Sequence, residues 1–114
     1  MQQRILAFIG AGNMSRSIIA GLVQAGYPAE RITAANPSRP KLDELADQFG
    51  IRITQNNAEA AREADVIVLA VKPQLMAAML EALVAELGSL EGKLLVSIAA
   101  GIKEIILVTH SSKN

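Results

Sequence analysis

An apolar pentapeptide that ends on a glycine-rich turn constrains this chain more than any other feature. Ile5-Leu6-Ala7-Phe8-Ile9 reads as a buried strand, and Gly10-Ala11-Gly12-Asn13-Met14-Ser15 follows it without a spacer. Beyond the turn, Met14, Ile18 and Leu22 fall on one helical row with Ile19 and Val23 beside it, and Gly26 stands where a helix-ending glycine belongs. Strand, turn, helix is the context in which a G-x-G-x-x-G/A string carries physical meaning. The first glycine permits a tight turn, and the second lets backbone approach a pyrophosphate with no Cβ in the way. The last position has to stay small so that helix packs on strand, and Ser15 is small enough. The free N–H groups and the dipole at the helix start then receive phosphate. The pattern predicts a dinucleotide site opening at Gly10; the alternative is a glycine turn with no ligand.

The rest of the chain repeats the alternation. Ile32-Thr33-Ala34-Ala35 reads as a second strand stopped by Asn36-Pro37, after which Ser38 can cap a helix whose first turn tolerates Pro40. Leu42, Leu45, Ala46 and Phe49 give that helix one apolar face and Gly50 ends it; Ile51-Arg52-Ile53 is a brief third strand. Asn57 opens an alanine-rich helical segment. Val66 to Val71 is apolar on both faces, which only a central strand covered from two sides requires. Gln74 to Leu87 places Met76, Met79, Leu80, Leu83 and Leu87 on one helical stripe, and Gly88 terminates it. Leu94 to Ile98 is a fifth strand with Ala99-Ala100-Gly101 as its tight exit, and Ile105 to Val108 either adds a sixth or frays. The fold expected is α/β, a Rossmann-like doubly wound, mostly parallel sheet in a three-layer αβα sandwich. Residues 1–102 form the dinucleotide-binding domain and 103–114 an atypical C-terminal strand or tail.

Composition narrows the class. The 114 residues suffice for one domain, and at 51% hydrophobic but 3% aromatic the core has to be aliphatic. Eleven basic residues balance eleven acidic ones, so no charge excess points to nucleic acid or an anionic membrane. The absence of cysteine excludes disulfides and zinc–thiolate sites and fits a reducing cytoplasm. No run approaches the roughly 18 apolar residues of a membrane span, and MQQRILAFIG is patterned as a strand rather than a signal peptide. A cytoplasmic chain with no metal ligands is expected.

The end of the second strand bears on which dinucleotide is bound. An NAD-selective domain usually places Asp or Glu there to accept from the ribose hydroxyls, whereas this chain has Asn36-Pro37-Ser38-Arg39-Pro40-Lys41. Asn36 and Ser38 can donate hydrogen bonds, and Arg39 and Lys41 bring positive charge. These residues favour NADP (as NADPH), with NAD still open; otherwise Arg39 and Lys41 are ordinary solvated first-turn residues.

Together with the glycine turn in FIGAGNMSRSIIAGL, the segments ANPSRPKL, LAVKPQ and SIAAGI resemble the N-terminal domain of pyrroline-5-carboxylate reductases over roughly residues 4–102. Related F420-dependent NADP reductases and β-hydroxyacid dehydrogenases share the turn but are not expected to show GNM, AVKP and SIAAGI in combination. The resemblance implies that Ile9, Gly10, Ala11, Gly12, Asn13 and Met14 wrap the pyrophosphate. It implies that Asn36, with Ser38 and Arg39, meets the adenosine ribose and its 2′-phosphate, and that Asn57 reaches the adenosine side. Ala70, Val71, Lys72 and Pro73 would line the nicotinamide ribose, and Ala99, Ala100 and Gly101 would approach the nicotinamide. The implied reaction is hydride transfer from NADPH to the C=N bond of 1-pyrroline-5-carboxylate, giving proline.

No catalytic residue is assigned. Lys72 could be a general acid toward an imine nitrogen, but no partner that would tune it is visible, so it reads as a turn-shaping residue with a solvated ammonium. His110 lies in a polar tail. Tyr27 reads as surface packing, and Met76 and Met79 as core. Family members continue past SIAAGI with a helix, an MPNTP-like strand end and a helical domain that forms the dimer and most of the substrate pocket. Here Lys103-Glu104-Ile105-Ile106-Leu107-Val108-Thr109-His110 follows instead. The chain is then expected to hold the cofactor half of a site, binding nucleotide without appreciable turnover, as a truncated form, a natural fragment or one of two partner chains. The alternative in a different class is a stand-alone nucleotide-binding module without catalysis.

Overall fold

Alternating buried strands and amphipathic helices cover both faces of a sheet only by winding first to one side and then to the other. The computed structural model, which describes residues 4–98 and 106–109, has this arrangement. In chain order the elements are β1 (Leu6–Ile9), α1 (Asn13–Gln24), β2 (Ile32–Ala35), α2 (Arg39–Phe49), β3 (Arg52–Thr54) and α3 (Asn57–Arg62). They continue with β4 (Val66–Leu69), α4 (Pro73–Leu87), β5 (Leu94–Ser97) and β6 (Ile106–Thr109). The strands lie in the order β3-β2-β1-β4-β5-β6; β1 to β5 run parallel and β6 runs antiparallel to β5. Chain order reverses between β1 and β4, where an open sheet of this kind leaves a crevice.

Register sets where that crevice floor lies. Ile9, the last residue of β1, pairs with both Ala35 and Leu69, so β1, β2 and β4 end at one level. At the opposite end, the Ile5 N–H donates to Asp65 Oδ2 at 2.9 Å and the Asp65 N–H donates to the Ile5 carbonyl at 2.8 Å. These bonds hold β1 and β4 in step from their first residues.

The period-two alternation of the strands feeds two cores. Phe8, Ile32 and Val68 point to the side covered by Ile19 of α1 and Leu42 and Leu45 of α2. Ile9, Ile67 and Leu69 point to the side covered by Ala58, Ala60 and Ala61 of α3 and Leu83 of α4. As its two-faced apolar pattern predicted, β4 is central and contributes to both.

The differences from the sequence reading have local causes. The fourth strand stops at Leu69 rather than Val71, because β1 ends beside it and only the Ala70 N–H still reaches the Ile9 carbonyl, at 2.9 Å. Pro73 opens α4 one residue earlier than predicted, its missing N–H costing nothing in a first turn. Asn57 opens α3 as predicted, and Asn56 caps it, its Oδ1 accepting the Glu59 N–H at 3.0 Å. Ser38 stands at the N-cap of α2 but makes no side-chain capping bond. Gly26, at φ +100°, ends α1 as predicted, with the Tyr27 N–H reaching back to the Leu22 carbonyl at 2.9 Å. The predicted α4 stripe is only partly core: Leu83 is buried, whereas Met76, Met79, Leu80 and Leu87 are half-buried. Ile106–Thr109 forms the sixth strand, one residue beyond the predicted span; Ala99, Ala100, Gly101 and His110 lie outside the described residues. Among the described residues no helix is long and apolar enough to cross a membrane.

Candidate functional site

The turn after β1 is built on a backbone conformation that L side chains rarely adopt. Gly10 has φ +105°, and a Cβ there would stand 2.4 Å from the Ala70 carbonyl oxygen, so the turn crosses directly over the end of β4. Its N–H donates to the Ala35 carbonyl at 2.8 Å, which ties the same residue to the end of β2. From below, the fully buried Ser15 hydroxyl donates to the Gly10 carbonyl at 2.7 Å. The sequence showed only that Ser15 is small; the hydroxyl gives it a second role, satisfying a carbonyl that the turn would otherwise strand.

Asn36 joins the turn to the second strand. Its Oδ1 accepts the Ala11 N–H at 3.1 Å and its Nδ2 donates to the Ser38 carbonyl at 3.1 Å. One amide thus fixes the glycine turn and the loop into α2 against each other. Gly12 is the N-cap of α1, which no side chain caps. A Cβ on Gly12 would meet nothing within 4 Å beyond its chain neighbours, so the space beside this residue is open. A helix start without a side-chain cap, beside a residue with open space where its Cβ would be, is suited to an anion.

Over these strand ends lies a cleft of about 430 Å³. Ile9, Gly10 and Ala11 come from the turn, Asn36 from the end of β2, and Asn57 from the start of α3; Ala70, Val71 and Lys72 follow β4. The structure therefore brings together eight residues that the sequence singled out. It adds Pro37, Leu75 and Met79, which the sequence reading left out. Met79 is half-buried at the cleft wall rather than core, and Leu75 is 54% exposed. A signal for Leu75 existed: it is a large apolar residue off the buried stripe of its helix.

The other candidates lie around the rim or elsewhere. Gly12, Asn13 and Met14 form the start of α1, where Met14 is 39% exposed despite its place on the apolar row, and Asn13 faces a groove shared with Gln48 of α2. Ser38 and Arg39 are exposed at the start of α2, and Pro73 is exposed at the start of α4; none of them lines the cleft wall. The Arg39 guanidinium pairs with Asp43, one helical turn on, at 2.7 Å. Lys72, at the N-cap of α4, is exposed, and its carbonyl accepts the Leu75 N–H at 2.9 Å. It is the only titratable side chain among the described residues lining the cleft. Such a surface can hold and orient a ligand but has little with which to move protons. A second cavity, of about 100 Å³ between β3 and α3, is far too small for a dinucleotide.

Comparison with known proteins points the same way. The chain is 53% identical over 102 residues to a pyrroline-5-carboxylate reductase of Vibrio alginolyticus, covering 90% of this chain and 37% of that protein. Among solved structures, a pyrroline-5-carboxylate reductase from Coxiella burnetii superposes with a TM-score of 0.78 at 38% identity, covering 88% of this chain and 37% of that one. The Plasmodium falciparum pyrroline carboxylate reductase, solved with NADP bound, gives a TM-score of 0.69 at 29% identity, covering 90% of this chain and 36% of that one. The chain thus spans a little over a third of the length of these relatives. Residues 5–101 match the family described as NADP oxidoreductase, coenzyme F420-dependent, and the chain belongs to that family.

Proposed function

We propose that this chain is the NADP(H)-binding part of a reductase acting on 1-pyrroline-5-carboxylate, with residues 1–102 as the cofactor domain and 103–114 departing from the family pattern. The observation that carries the reading is the cleft at the common end of β1, β2 and β4, floored by the Gly10 turn and flanked by the uncapped start of α1.

The residues present fit the cofactor. Gly10 to Met14 would take the pyrophosphate on backbone N–H groups, with Ile9 packing beneath and Gly12 leaving room for close approach. The Ala11 N–H is already given to Asn36, so the phosphate-facing donors are those further into α1. Asn36 keeps one Nδ2 hydrogen for the adenosine ribose, and Ser38 and Arg39 are at hand for a 2′-phosphate. Asn57 would bound the adenosine side, while Ala70, Val71, Lys72 and Pro73 would follow the nicotinamide ribose toward Ala99, Ala100 and Gly101. When bound, the cofactor would supply a hydride to the imine carbon, the imine nitrogen taking its proton from solvent. The chain's own residues position and exclude water; Leu75 and Met79 give the cleft its apolar wall.

Titration with NADPH and NADH tests the reading. Tight NADPH binding is expected, with background reduction of 1-pyrroline-5-carboxylate by this chain alone; failure to bind either nucleotide overturns it. Arg39→Ala should weaken NADPH by about 1.5–3 kcal/mol, the value of a charge-assisted hydrogen bond, and leave NADH unmoved. Equal losses for both nucleotides would remove Arg39 from the 2′-phosphate.

A further inference from the structure

Arg39 opens α2 two residues after the cleft-lining Pro37, yet it does not itself line the cleft. Its Nη2 lies 2.7 Å from Asp43 Oδ1, an i, i+4 contact that draws the guanidinium one turn along the helix toward its C-terminal end. The two side chains are 59% and 50% exposed, so no packing locks them in that position. We propose that Asp43 is a specificity-determining residue: its carboxylate competes with a ligand's 2′-phosphate for the Arg39 guanidinium and so moderates the preference for phosphorylated over unphosphorylated dinucleotide. The inference rests on the reading of Arg39 as the 2′-phosphate anchor.

The physical argument has two parts. A phosphate approaching Arg39 has to displace or share the Asp43 contact, and it also meets a like charge one helical turn away. Both oppose the phosphorylated ligand and neither touches its unphosphorylated counterpart. Asp43 lies outside the cleft wall, so its effect passes through Arg39 and through the local field.

The test measures NADPH and NADH dissociation constants for the wild-type chain, Asp43→Asn, Arg39→Ala and the double variant at one fixed ionic strength. Asp43→Asn should tighten NADPH by roughly threefold or more and leave NADH within twofold, and the gain should shrink in the Arg39→Ala background. A purely structural role would move both nucleotides together. Unchanged or weaker NADPH binding by Asp43→Asn, or equal tightening of both nucleotides, overturns the proposal. Arg39→Ala weakening NADPH and NADH alike overturns the anchor reading instead, and with it the proposal, whatever Asp43→Asn does. Because exposed i, i+4 pairs contribute little to stability, both single variants should unfold at close to the wild-type midpoint.

Discussion

On the face carrying α1 and α2, the sheet meets large side chains: Phe8, Ile19, Ile32, Leu42 and Leu45 are all but fully buried there. On the face carrying α3 and α4, much of the covering layer is alanine, with Ala58, Ala60 and Ala61 from α3 and Leu83 as the one fully buried residue of α4. Yet α4, reading PQLMAAMLEALVAEL with only Glu81 and Glu86 charged, is the most apolar helix among the described residues. The first face closes a core in the ordinary way, each helix spending its apolar row on the sheet. The second is thinner and leaves apolar surface over: Leu75 and Met79 turn to the cleft, while Met76, Leu80, Val84 and Leu87 are half-covered. The contrast teaches that hydrophobicity alone does not separate core from site. Where a helix has more apolar residues than the sheet can bury, part of the surplus, here Leu75 and Met79, lines the cleft.

Substitutions can break that comparison, and the largest effect, on stability and nucleotide binding together, is expected where the two faces part. Gly10→Ala puts a Cβ 2.4 Å from the Ala70 carbonyl at a positive φ, so the turn or the end of β4 has to move. A loss of about 2–4 kcal/mol in urea unfolding, with nucleotide binding abolished, is expected from strain and overpacking together. An unchanged unfolding midpoint would show that the turn is not held as tightly as its hydrogen bonds imply. Next comes a matched pair, one leucine from each face. Leu42→Ala removes a fully buried side chain from the closed face and should cost about 2–5 kcal/mol, whereas Leu80→Ala, on half-buried α4, should cost about 1 kcal/mol. Equal losses would mean that the second face is a closed core as well.

Most of the architecture was legible because its signals are local. Apolar runs bounded by glycine or proline gave β1, β2, β4 and β5 within two residues at either end, and the glycine turn gave the start of the cleft. What escaped depends on distance in the chain. Nothing near Asn36 in sequence says that its amide spans to Ala11, and nothing near Ser15 says that its hydroxyl is wanted by Gly10. The end of the second strand has no carboxylate, yet Asp43, one turn into the helix that follows, pairs with Arg39. The methionines of α4 were read as core because periodicity reports which residues share a face, not how much of that face is covered.

The smallest expected effect comes from two partly buried titratable groups, one phenol and one ammonium, whose burial gives pH dependences of opposite sign. Tyr27, the one tyrosine of the chain, packs against the α1/α2 core and its hydroxyl donates to the Arg4 carbonyl. Burial pushes this phenol above its ordinary value, and Arg31 draws it part of the way back. The fold therefore favours the neutral form: its contribution is whole below the unfolded value, about 10, and is lost as pH climbs through the raised folded value. On the other face, Lys93 reaches under the end of α3 and donates to the Arg62 and Ala64 carbonyls at 3.0 and 2.7 Å. Burial lowers its pKa, with Asp65 opposing, so its sign is the reverse. The cost of holding the ammonium is present at neutral pH and is relieved as pH rises through the lowered folded value toward about 10.4. Unfolding midpoints between about pH 8 and about pH 11 should accordingly fall less steeply in Tyr27→Phe and more steeply in Lys93→Met than in the wild-type chain. With no tryptophan present, tyrosinate absorbance follows the Tyr27 titration directly. If both variants shift the slope in the same direction, loss of hydration is not what moves the two groups, because burial favours the neutral form of each and so gives a phenol and an ammonium opposite signs.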